Sequence, residues 1–119
     1  MRRTCCTGTA FVYSGRVDPQ WPITAKQLQM LTKMWKELPP SRISPPSAPP
    51  LGYRGCAVRC ASGEEWFVYD GIASLTRRTH RPEYRLDKER QFERRVLETA
   101  PPGAIPKSFP DCEATLFQF

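Results

Sequence analysis

Five cysteines and one histidine are the residues of this chain whose types best suit chemistry. A thiolate is a nucleophile and a soft metal ligand, and an imidazole is its usual companion in either task. Spacing limits both uses. Cys56 and Cys60 stand four apart, so on a strand their Cα atoms are roughly 13 Å apart, too far to share one zinc ion. No C-x-x-C pair occurs, and adjacent Cys5 and Cys6 on a strand point to opposite faces. Cys56 and Cys60 therefore read as small core residues. Cys5, Cys6, Cys112 and His80 make up an alternative metal or redox set, which needs the fold to bring them together. A solvated loop accounts for His80 without a Cys–His pair. The chain has no Gly-rich phosphate loop, H-E-x-x-H or G-x-S-x-G motif. No cofactor is expected, and enzymatic activity has no motif to carry it.

The odd cysteine count, with two of the five adjacent, excludes a fully paired disulfide framework, so free thiols are expected. The N-terminal segment has no apolar stretch long enough for a signal peptide, and nothing later approaches a membrane span. A soluble, cytoplasmic protein with no membrane partner is the expectation.

The formal net charge is +6. Residues 1 to 50 hold +5 of it, from Arg2, Arg3, Arg16, Lys26, Lys33, Lys36 and Arg42 against Asp18 and Glu37. Such an imbalance implies an acidic partner. A second basic stretch, residues 77–95, carries Arg77, Arg78, Arg81, Arg85, Arg94 and Arg95, and arginine makes bidentate contacts to phosphate. Glu83, Asp87, Glu89 and Glu93 are interleaved with it, which favours a salt-bridged helix surface over nucleic-acid binding. Nucleic-acid binding is the alternative function for this stretch.

Apolar side chains in excess of a small core suggest where a protein partner docks. Trp21 lies among prolines, Met30 flanks a helical stripe, and Phe117 and Phe119 crowd the C-terminus. Aromatics and methionine are enriched at interface centres. With Lys26, Lys33 and Lys36 they form the expected partner-binding set. The resulting expectation is a non-catalytic module, such as an inhibitor, an immunity-type protein or an accessory subunit, docked on an acidic protein.

The elements that must position these residues follow from periodicity and punctuation. Thr7 to Tyr13 is rich in Thr, Val and aromatics and reads as a strand, followed by a proline-bearing loop over 16–22. Thr24 and Gln27 form a capping box for a helix from about Ala25 to Leu38, with Leu28, Leu31, Trp35 and Leu38 on one stripe and the lysines opposite. Residues 39–50 form a proline-rich connector. Gly52 to Ala61 and Glu65 to Leu75 are strands joined around Ser62-Gly63, and Asp70-Gly71 marks a bulge or second turn. Residues 76–85 read as a basic loop. Asp87 caps a second helix ending near Thr99, which places Glu93 within the apolar arc, to be paired by Arg16, Arg54 or Arg59 if it is buried. Residues 101–119 are a loop, tail or edge strand. Two segments, 13–21 and 52–56, have a specialised composition to which no role attaches.

The expected architecture is one α+β domain over 1–119. Its order is β-α-β-β-α with an optional terminal β, giving a three- to four-stranded, mainly antiparallel sheet with two helices packed on one face.

Overall fold

The computed structural model describes residues 6–12, 18–45, 47 and 53–103. In chain order the elements are β1 (Cys6–Ala10), β2 (Gln20–Ile23), α1 (Ala25–Glu37), β3 (Cys56–Cys60), β4 (Glu65–Tyr69), β5 (Ile72–Thr76), β6 (Glu83–Leu86), a 3₁₀ turn (Lys88–Arg90) and α2 (Gln91–Glu98). The strands form one six-stranded antiparallel sheet in the order β2-β1-β3-β4-β5-β6. The α+β class holds, but the sheet has six strands rather than three or four. The expected terminal strand lies outside the described residues.

The additional strands arise where punctuation residues hide a strand pattern. In β2, Trp21 and Ile23 are buried while Gln20 and Pro22 are exposed. Proline is tolerated because β2 is an edge strand. Cys6 and Cys60 lie 4.0 Å apart at Cα, the close spacing of a non-hydrogen-bonded pair. The backbone groups of Cys6 therefore turn toward Ile23, and alternation points the nitrogen of Pro22 outward, where no ladder bond is lost. Asp70-Gly71 is a two-residue turn with φ of 51° and 90°, the conformation that joins tightly paired strands. It is the second turn, not the bulge, of the two readings of Asp70-Gly71, and it separates β4 from β5. The expected loop over 76–85 gives way to β6 from Glu83, which pairs Tyr84 with Ser74 and Leu86 with Ile72.

Helix α1 follows the sequence closely. Thr24 Oγ1 accepts from the Gln27 amide at 3.1 Å, and Gln27 Oε1 accepts from the Thr24 amide at 2.9 Å. Both helices pack on one face of the sheet. Leu31 and Trp35 of α1 and Phe92, Val96 and Leu97 of α2 join Trp21, Val58, Val68 and Leu75 of the sheet in one buried core. The Trp35 and Phe92 rings lie 6.2 Å apart. Trp21 approaches the sheet closely because its strand partner is glycine. A Cβ on Gly8 would stand 2.6 Å from Trp21 Nε1, and that nitrogen donates to Thr99 Oγ1 at 2.8 Å, tying β2 to the end of α2.

At the other end of α1, Arg85 of β6 closes the helix. Its Nη1 donates to the carbonyls of Trp35, Lys36 and Leu38 at 3.2, 3.2 and 2.9 Å, and its guanidinium lies 4.9 Å from the Trp35 ring centroid. These are carbonyls that a helix C-terminus leaves unsatisfied, and the cation complements the negative end of the helix dipole. The proline-rich connector then begins along the free edge of β6. Leu86 N donates to Pro39 O at 2.7 Å, and Ser41 N donates to Tyr84 O at 2.9 Å. No described helix covers the opposite face of the sheet, where Thr9, Ala57, Phe67, Ser74 and Tyr84 stand in one cross-strand row.

Candidate functional site

The most elaborate polar arrangement lies at the start of α2. Asp87 is 2% exposed and Glu93 0% exposed. Burying a carboxylate is costly unless its oxygens are occupied, and here they are. Asp87 accepts from the amides of Phe92 at 2.7 Å and Glu93 at 3.0 Å, supplying acceptors for the free N–H groups of the helix. Glu93 receives Arg90 Nε at 3.1 Å and Nη2 at 3.2 Å, and the Tyr53 hydroxyl donates a short hydrogen bond to Oε2. Burial raises the pKa of both acids despite these contacts. For Arg90, burial alone would lower the pKa, but the bond and charge of Glu93 outweigh it and raise it.

The sequence leaves Glu93 either in the core or at the rim of the apolar arc; it lies in the core, with a partner that is not among those expected. Arg90 holds it, because residues 88–90 do not continue the α-helix; Arg59 pairs with Glu65 instead, and Arg16 lies outside the described residues. Glu89 and Arg90 both have φ of 57°, which swings Arg90 back over Glu93. Two consecutive left-handed non-glycine residues cost of order 1–3 kcal/mol each, and the buried ion pair keeps them in place. The two specialised segments meet near this cluster. Arg54 N donates to Phe11 O at 2.8 Å, Phe11 N to Gly55 O at 2.9 Å, and Arg54 pairs with Asp18 at 3.7 Å. Glu93 is enclosed, with both oxygens occupied, so the cluster fixes geometry and does not present a base to a substrate. The sequence signals for it are the capping Asp87, Glu93 in the apolar arc and the Gly-flanked Tyr53-Arg54 pair.

Family models, curated proteins and solved structures contain no match to this chain. Function must therefore be argued from the surface and its chemistry.

Of the alternative metal or redox set, only Cys6 and His80 are among the described residues. Cys6 is bonded to Cys60 across β1 and β3, so neither is the expected free thiol. His80 follows β5, three strands across the sheet from Cys6, which at the usual strand spacing is about 14 Å. Among the described residues no three His, Cys, Asp or Glu side chains are grouped to hold a metal ion. Cys5 and Cys112 lie outside the described residues. Cys56 is fully buried, its Sγ 3.8 Å from the Glu93 carbonyl, in keeping with a core role.

The partner-binding set divides. Trp21 is 2% exposed and belongs to the core, because Gly8 leaves room for its indole, so it offers no surface anchor. Lys26, Lys33 and Lys36 are exposed on α1, and Met30 is 36% exposed beside them. Met30 Sδ receives Arg95 Nη1 at 3.4 Å, joining the outer surfaces of α1 and α2. Between the helices runs a cleft of about 210 Å³ lined by Met34, Glu89, Gln91, Arg94, Arg95 and Glu98. Phe117 and Phe119 lie outside the described residues.

The arginines of residues 77–95 do not form one surface. Arg77, Arg78 and Arg81 occupy the exposed loop between β5 and β6. Arg85 is committed to α1 and to Glu83 at 2.6 Å. Arg94 and Arg95 lie on α2, bonded to the Glu89 carbonyl at 2.8 Å and paired with Glu98 at 3.5 Å. No described helix is long and apolar enough to cross a membrane.

Proposed function

We propose that this protein is a non-catalytic binding module that docks on an acidic protein partner through the outer face of α1. One contrast supports it. All six ion pairs among the described residues use arginine, while Lys26, Lys33 and Lys36 have no ion-pair partner among those residues. These lysines are spread along one exposed helix face with Met30, an adaptable apolar group of the kind enriched in interfaces. An acidic surface would meet this charge, with strong effects on association rate and on choice of partner. An inhibitor, an immunity-type protein and an accessory subunit would all use such a face.

The test is native co-purification with wild type and with a Lys26→Glu/Lys33→Glu/Lys36→Glu variant, each verified as folded by circular dichroism. A stoichiometric acidic partner should accompany the wild type and be lost from the variant. A partner retained equally by both, or no stoichiometric partner, refutes the reading.

A further inference from the structure

We propose a second, independent surface: the face of the sheet opposite the two helices binds single-stranded nucleic acid, stacking bases on its half-buried aromatic rings and holding phosphates with the arginines of the β5–β6 loop. The first observation is apolar. No described helix packs on this face, yet Phe67 of β4 and Tyr84 of β6 stand in one row, with small Ser74 between them. Both rings are half-buried, and Phe11 adjoins Phe67 with ring centroids 6.0 Å apart. Rings presented on a sheet with a small residue between them form a platform for flat π systems. Stacking of this kind accepts any base because every base has a π face.

The second observation is electrostatic and lies at the adjoining end of the same sheet. Tyr84 and Ser74 are two and three residues from the loop joining β5 to β6, a step of roughly 7 to 10 Å along a strand. The loop residues Arg77, Arg78, His80 and Arg81 are all exposed. The acids at that rim are largely matched within the protein. Glu83 pairs with Arg85 at 2.6 Å and with Arg77 at 4.0 Å, and Glu65 pairs with Arg59 at 3.2 Å. Arg78 and Arg81 have no ion pair among the described residues. Glu64, in the turn before β4, is the unmatched acid at this end. Arg78 rests against Gly63, where a Cβ would lie 2.7 Å from its Nε, so its stem is seated before any ligand arrives. Arg42 joins the rim, since it follows Ser41, which bonds to Tyr84.

The combination selects the ligand. An acidic protein satisfies the arginines but has no use for the ring platform. A duplex satisfies the arginines but keeps its base faces stacked internally. A single strand uses both, and arginine suits phosphate because its fork donates in pairs.

Fluorescence anisotropy with a labelled oligothymidylate single strand tests this, with a duplex of equal length and poly-L-glutamate as competitors. The single strand should bind at low salt, weaken steeply as salt rises, and resist both competitors at equal charge. Arg78→Glu/Arg81→Glu should weaken it at least tenfold. Phe67→Leu and Tyr84→Leu, which keep apolar bulk and remove the ring, should each weaken it by about tenfold. Tyr84→Leu decides the matter if Phe67→Leu does not fold. Absence of binding at low salt, equal competition by the duplex or by poly-L-glutamate, or wild-type affinity in the folded ring variants each overturns the proposal.

Discussion

Breaking the Cys6–Cys60 bond should remove a large part of this protein's stability. The bond closes a loop across 54 residues. In the chain-entropy account, a loop of that length lowers the entropy of the unfolded chain enough to contribute about 4 kcal/mol. Typical domains have only about 5 to 15 kcal/mol in total. The bond also joins the two strands on which the sheet depends most, since β1 carries β2 on its far side and β3 leads into the β4–β6 meander. Urea unfolding of the oxidised protein, the fully reduced protein and a Cys6→Ala/Cys60→Ala variant measures the loss. Both altered forms should unfold at lower urea, with a fall near 4 kcal/mol and a Tm lower by roughly 15 °C. Both sulfurs are held in the disulfide, so thiol reagents should label neither in the native oxidised protein. Equal unfolding midpoints for the oxidised and reduced forms, or ready labelling of Cys60 in native protein, would refute the reasoning.

Asp87 and Glu93 make stability depend on pH in an uncommon direction. Burial raises both pKa values, so the folded state holds protons that the unfolded chain releases. Their favourable contribution is complete below the ordinary carboxyl range and is lost as pH rises through the raised values. Urea midpoints should therefore be higher in mildly acidic than in neutral buffer, and Glu93→Gln should flatten that slope. Glu93→Ala should cost about 3 kcal/mol at neutral pH by leaving Arg90 unpaired, measured by the same unfolding curves. Gly8→Ala should cost about 2 kcal/mol, because the added methyl collides with the Trp21 indole. A changed indole emission spectrum should accompany that loss.

Much of the fold was legible wherever a local signal coincided with a local structure. The Thr24–Gln27 box, the α1 stripe and the capping aspartate all act over a few residues, and each is present. The strands that were missed depend on long-range circumstances. Pro22 is acceptable only because β2 is an edge, and Glu83–Leu86 becomes a strand only because β5 and the connector are beside it. The Arg90–Glu93 pair was missed because helical spacing was extended through residues 88–90, where the backbone is left-handed. The cysteine argument failed for a related reason. Counting showed that not all five could pair, but it says nothing about which two strands lie side by side. On the candidate surfaces, Trp21 looked exposed by its neighbours in sequence, whereas its burial follows from a glycine thirteen positions earlier.

The seat of Arg85 on α1 bears on how the chain reaches its final form during synthesis. The residue that closes α1 lies 50 positions after Trp35, whose carbonyl it binds, and Thr99 lies 78 positions after Trp21. When the ribosome has released only the first half of the chain, α1 has an open C-terminus, Trp35 lacks its stacked cation and the Trp21 indole has no acceptor. The N-terminal half therefore does not constitute a folding unit that waits for the remainder. A fragment cut between β3 and β6 should remain largely unstructured, and mixing the two halves should restore what neither holds alone.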